Sequence, residues 1–250
     1  MCFSPEASFA ASAALLPAGI YCVRAAFRKD RNYLPLALVP FGFSAQQLCE
    51  GLVWLGLGWE NAALFQSASV AYLFFAIAFW PFWIPASLWW IENRRPGKWM
   101  LALFTILGLA WSWLYWPIFQ DPGRWLVTEV VHHSIHYAYD HIPGFDTAPR
   151  LAWRGGYVAV ISIPLVFAFS RGQRSAGNAI WSILAGLGLG ASFVVSAYAY
   201  WYAFTSVWCF FAAVLALCLC YVFYHLPYTD PLSPEPMAEE VSAGLPGRGE

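Results

Sequence analysis

Between residues 6 and 225 the chain is a succession of apolar stretches long enough to cross a bilayer, broken only by short polar interruptions. A membrane helix needs about 20 mainly apolar residues to cross roughly 30 Å of hydrocarbon. Its backbone groups must bond to one another because no water is available to them. Seven segments meet that requirement: 6–27, 34–58, 65–91, 98–119, 151–170, 177–200 and 203–225. They predict an all-α fold, a polytopic membrane helix bundle of about seven transmembrane helices. The sixth and seventh nearly adjoin, so the turn around Trp201 and Tyr202 must be tight.

Composition excludes the soluble alternative. Only 11% of the 250 residues are charged and 60% are hydrophobic, where a soluble domain carries about 25% charged residues. The lipid bilayer is therefore the expected partner. A net charge of -1 excludes a nucleic-acid partner, because phosphate binding needs a concentrated basic surface. The apolar stretch after Glu6 lacks a basic leader and runs on to Val23, so it reads as a retained helix and not a cleaved signal peptide.

Charge placement sets the orientation, since short cytoplasmic loops retain Lys and Arg. Arg24, Arg28, Lys29 and Arg31 flank the first loop, Arg94, Arg95 and Lys98 the third, and Arg171 and Arg174 the fifth. The second and sixth loops hold none. This alternation puts the N-terminus outside and the C-terminus in the cytoplasm. Residues 1–228 then form the bundle, with an outer loop over 120–150, and residues 229–250 read as a disordered acidic tail with almost nothing apolar to bury. Trp59, Trp99, Trp116 and Trp153 lie near span ends, where amphipathic rings suit the interface. Pro17, Pro40, Pro81, Pro85 and Pro164 fall within spans and predict kinks. Gly186, Gly188 and Gly190 would let the sixth helix approach a neighbour closely.

An ionisable group inside a span is costly and is expected to face the bundle interior. Glu50 is the clearest case. It lies about eight residues inside the outer end of the second span, roughly 12 Å at about 1.5 Å per residue. Gln46, Gln47 and Trp54 share its helical face. In the last span Tyr202, Ser206 and Cys209 likewise share a face. Glu6 follows Ser4 and Pro5, the pattern of a helix start with Ser as cap and a carboxylate at the positive dipole end. That explanation is favoured over a catalytic one for Glu6. The six cysteines show no CxxC pair or metal-finger spacing; Cys2 is left open between pairing, metal ligation and packing.

Four of the five histidines fall in the outer loop, with Glu129, His132, His133, His136, Asp140 and His141 close together. If 125–139 is a helix, Glu129, His132 or His133, His136 and Asp140 line one side with metal-ligand spacing. Val127, Thr128, Val130, Val131 and Ile135 equally favour a strand, in which only alternate residues share a side. The histidines would then be ligands of zinc or another divalent metal, or the wet edge of an interfacial lid. Cys2, Glu6, Gln47, Glu50, Ser206, Cys209 and this loop all map to the outer third of the bundle, whereas Cys22, Cys218, Cys220 and His225 map to the cytoplasmic half and form no comparable set.

At four places the chain resembles an uncharacterised bacterial family of polytopic membrane proteins, catalogued as a domain of unknown function. They are Met1-Cys2-Phe3-Ser4 with Ala7-Ser8-Phe9; Gln46-Gln47 with Glu50-Gly51-Leu52-Val53-Trp54; Ser134-Ile135 with Tyr137; and Ser206-Val207-Trp208-Cys209-Phe210-Phe211-Ala212-Ala213. The resemblance implies a bacterial inner-membrane protein and brings no established activity, cofactor or catalytic residue.

Three functions compete. In the first, an outward-opening polar pocket of Gln46, Gln47, Glu50, Ser206, Cys209 and Cys2 binds or transports a small solute or ion, with Glu50 taking a cation or proton. In the second, a metal-dependent hydrolase uses His133 and His136 as first-choice zinc ligands, His132 and Asp140 as further ones, and Glu50 or Glu6 for proton transfer. In the third, the chain is a structural or assembly component and needs no pocket.

Overall fold

The computed structural model describes residues 4–139, 150–171, 188 and 190–226. Five of its helices are long and apolar enough to cross a membrane: α1 (Pro5–Lys29), α2 (Arg31–Gly58), α3 (Ala62–Ile91), α4 (Arg95–Leu114) and, last in the chain, α7 (Trp201–His225). Between α4 and α7 stand a hairpin of β1 (Val127–Val131) and β2 (Ser134–Ala138), then α5 (Arg150–Arg171) and α6 (Gly190–Ala199). At 22 residues α5 covers the span expected over 151–170. Of the expected sixth span, residues 177–187 and 189 lie outside the described residues, as do Cys2, Asp140, His141 and the tail.

Chain direction follows from pairwise contacts. Ser12 and Ser44 exchange hydrogen bonds, each hydroxyl donating to the other's carbonyl at 2.9 Å, while a Cβ on Gly51 would meet Phe9 and one on Gly19 would meet Phe41. Early residues of α1 thus face late residues of α2, and the two are antiparallel. The same holds for α2 and α3, where Gly42 lies against Trp80 and Gly56 against the backbone of Phe65. It holds again for α3 and α4: a Cβ on Gly108 would come within 2.1 Å of the Pro81 carbonyl oxygen, so only glycine permits that approach. By contrast α1 and α7 are parallel. Cys22 meets Cys220 with sulfurs 3.8 Å apart, and one turn and a half further on Lys29 donates to the carbonyls of Phe223 and Tyr224 at 3.0 and 2.7 Å.

Prolines shape α2, α3 and the end of α4. Pro40 offers no N–H to the helix behind it, and α2 turns at Leu38. In α3 the ladder widens to a π turn over Phe74–Phe79, where the Trp80 N–H reaches back five residues to the Phe75 carbonyl. Pro81 is next in line and has no N–H for Ala76; the Tyr157 hydroxyl of α5 donates to that carbonyl instead. Ser112 of α4 likewise donates to Ala78 O at 2.5 Å. The fourth helix ends at Leu114, short of the expected 119, and resumes after Tyr115 as the short helix Trp116–Gln120 with Pro117 in its first turn.

The surface carries large apolar side chains in numbers that water would not favour. Ile106 and Trp113 of α4 are 63% and 69% exposed, as suits a helix with lipid on one side. Polar residues are instead inside: Ser8, Gln46, Gln47, Glu50, Ser69 and Ser206 are fully buried.

Candidate functional site

The buried polar face of α2 is the one its spacing predicts. Gln46, Gln47 and Glu50 are each 0% exposed, and Trp54, one turn on, is half-buried with an indole N–H that has no partner among the described residues. Ser206 of α7 donates to Glu50 Oε1 at 2.5 Å, joining the second and last helices. A serine hydroxyl can donate or accept, so the pair can keep a hydrogen bond whether Glu50 is ionised or protonated.

Around this pair the three amide and thiol groups differ in how they are satisfied. The Trp80 indole N–H donates to Gln46 Oε1 at 2.6 Å, and because indole is only a donor this fixes which way the amide faces. Cys209, one turn beyond Ser206, sits beside the Gln46 amide and the Tyr72 hydroxyl, with Glu50 also near. Gln47 has neither amide atom bonded among the described residues. Ser8 is in the same condition, and the antiparallel register of α1 and α2 puts it at the level of Gln47 and Gly51. A buried amide and hydroxyl left open in this way carry a desolvation cost that a bound water, ion or ligand would relieve.

Within 125–139 the chain forms the strands Val127–Val131 and Ser134–Ala138, not one helix. β1 and β2 pair antiparallel with Glu129 opposite His136 and Thr128 opposite Tyr137. His132 and His133 make the two-residue turn, with φ of 46° and 64°, the left-handed geometry that matches the twist of a tight hairpin. The one-sided row that a helix would have made of Glu129, His132 or His133 and His136 is therefore absent among the described residues. The pairing does bring Glu129 and His136 together, Nδ1 to Oε1 at 3.1 Å. His132 lies against the Tyr202 ring at 5.5 Å, and His133 is exposed. Among the described residues no three His, Cys, Asp or Glu side chains group closely enough to hold a metal. Glu6 is exposed in the first turn of α1, where Ser4 caps the helix by accepting from the Ala7 N–H at 3.3 Å.

The hairpin covers the end of the bundle next to the Glu50 cluster. Tyr137 stacks on Tyr72 with ring centres 4.9 Å apart, Thr128 bonds Ser69 at 3.1 Å, and Tyr139 bonds Thr205 at 2.9 Å. Beside it lies a partly open cavity of about 300 Å³ between β2, α3, α4, α5 and α7. Of the pocket residues expected from sequence, Cys209 reaches its wall; Gln46, Gln47, Glu50 and Ser206 are packed behind that wall and not in it. The wall is mostly aromatic, and Arg154 and His136 are part of it. Sequence periodicity gave no sign of Tyr72, Tyr157 or Arg154 as members of this region. The one available signal was the density of Tyr and Trp in the last outer turn, which the interface explained equally well.

No protein-family model matches the chain, and no curated protein or solved structure matches it either.

Proposed function

We propose that the chain is a seven-crossing protein of a bacterial inner membrane, N-terminus outside, that binds or transports a small solute and exchanges a proton or cation at Glu50. The observation that carries this reading is the fully buried Glu50 carboxylate bonded to Ser206 at 2.5 Å. Placing a carboxylate in a membrane helix is costly and is a recurrent feature of proton and ion pathways. The Cys209 side chain lies between that carboxylate and a cavity of ligand size.

Helix direction supports the crossing count. α1 and α3 run the same way, opposite to α2 and α4. Tyr157 meets Ala76 near the middle of α3, and α5 then continues along Trp80–Ile91 in the same direction. α7 parallels α1, α3 and α5, which fits an odd number of crossings. An odd total leaves the two ends of the chain on opposite sides, in agreement with the loop charges.

Infrared difference spectra of purified protein, titrated from acid to alkaline buffer, test the Glu50 role without a known ligand. A buried carboxyl band that titrates in the native protein and vanishes in Glu50→Gln is expected. Identical spectra from the two proteins overturn the proposal. The metal-dependent hydrolase draws support from the Glu129–His136 contact alone; stoichiometric zinc that is lost in His136→Ala would make it the better reading.

A further inference from the structure

We propose that Cys22 and Cys220 form a binding site for one soft monovalent metal ion, of the class of Cu(I). The site lies apart from the Glu50 cluster and does not depend on the binding reading above.

No sequence spacing announces this pair, because the two thiols are 198 residues apart; the parallel packing of α1 against α7 is what brings them together. Their sulfurs are 3.8 Å apart. At metal–thiolate bonds of about 2.3 Å, such a separation corresponds to an S–metal–S angle of about 110°, and a straight unit would span about 4.6 Å. The gap therefore suits a bent two-sulfur site as it stands, and opening it by about 0.8 Å would make the site linear. Cys22 is fully buried and Cys220 half-buried. The pair thus has a dry floor and one side through which an ion can enter.

Sulfur decides the class of ion. Thiolate is a soft ligand and selects soft ions such as Cu(I) over the hard cations that oxygen binds. Zinc also takes thiolates, but it is completed by four ligands, whereas Cu(I) is satisfied by two. Binding exchanges protons for metal: each S–H bond breaks, each sulfur keeps the electron pair and forms one bond to the ion, and the two protons leave to solvent. No electron is transferred. The thiol of Cys220 donates to the Ala18 carbonyl at 3.9 Å, and a thiol is a weak donor, so little is lost when that proton leaves. The product carries a single net negative charge, which apolar surroundings disfavour. Lys29 offsets it. This residue lies seven positions after Cys22 on the same side of α1, and its ammonium is held at the α1–α7 interface by the carbonyls of Phe223 and Tyr224.

Cu(I) titrated without oxygen into full-length protein in detergent, in competition with the chromophoric chelator bicinchoninate, tests this. One equivalent per chain should leave the chelator, and X-ray absorption of the complex should show copper with two sulfur neighbours. Losing a group that merely supports a ligand costs about 10–100-fold in metal affinity, so Cys22→Ala and Cys220→Ala should each weaken binding by more than about a hundredfold. Cys218→Ser, which removes an exposed thiol, should change it by less than about twofold. Zn(II), titrated in the same way against a zinc dye, should bind more weakly than Cu(I). The absorption spectrum of the unaltered protein needs no variant, so misfolding cannot hide the result. Copper that stays with the chelator, copper surrounded by nitrogen or oxygen, an affinity unchanged by Cys22→Ala or Cys220→Ala, or zinc bound as tightly as copper each overturns the inference.

Discussion

Ser206 and Glu50 are 156 residues apart in sequence, yet the serine hydroxyl donates to the carboxylate at 2.5 Å inside the bundle. Each is fully buried, so neither bond partner can turn to water if the other is removed. Ser206→Ala should therefore lower stability by about 1–3 kcal/mol, read as the melting temperature in detergent. Glu50→Gln with Ser206→Ala should cost less than the two single changes added together, because they share one interaction. Full additivity would mean that the two side chains do not interact in the membrane protein.

The Tyr157 hydroxyl bonds a carbonyl that Pro81 leaves open in the π turn of α3. Tyr157→Phe should destabilise by about 1–3 kcal/mol, since a buried carbonyl loses its donor. Pro81→Ala restores the N–H that would reach this carbonyl and should recover part of that loss in the Tyr157→Phe background. Thermal melts of the four proteins measure it. If Pro81→Ala is equally harmful with and without Tyr157, the carbonyl is satisfied in some other way.

These two relationships mark where sequence stops being informative. Apolar length located α1, α2, α3 and α7 to within a few residues, because lipid imposes a length that soluble folds do not. Helical periodicity placed Gln46, Gln47 and Glu50 on one buried face, and Ser206 with Cys209 on another. Periodicity cannot say which face meets which, so the bond from Ser206 to Glu50 needed the packed bundle. The strand over Val127–Val131 stayed ambiguous because valines satisfy a strand while the His and Glu spacing also fits a helix. The aromatic cavity was illegible for a different reason: Trp and Tyr near span ends suit the interface and a ligand wall alike. Tyr115, Trp153 and Trp201 line that wall although their positions in the sequence fit either role.

His132 and His133 occupy left-handed backbone at the hairpin tip, a geometry that costs a side chain with a Cβ about 1–2 kcal/mol. Replacing them by Asn and Gly, the residues that a two-residue turn of this kind prefers, should raise the melting temperature and leave solute binding intact. Loss of bound metal or of activity in that double variant would instead give the two histidines a chemical role.

Cys22 and Cys220 bring two thiols to within 3.8 Å where α1 and α7 lie side by side near their C-terminal ends. A disulfide needs a sulfur separation of about 2.05 Å, so closing the gap takes a movement of under about 2 Å. Mild oxidation of membranes with copper phenanthroline should cross-link them, and cleavage in the outer loop should then leave both halves of the chain joined until a reductant is added. Cys22→Ser should abolish the link, while Cys218→Ser, which removes an exposed thiol, should leave it in place. The cross-link reports more than proximity. Lys29 bonds the last carbonyls of α7 just beyond the cysteines, so the link and the Lys29 contacts can coexist only if the two helices run in parallel. In an antiparallel arrangement linked at Cys22, residues 223 and 224 would lie beside residues that precede Cys22, away from Lys29. A link that forms between Cys22 and Cys220 while Lys29→Ala leaves stability unchanged would break this register, and with it the support that parallel α1 and α7 give to the proposed odd crossing number.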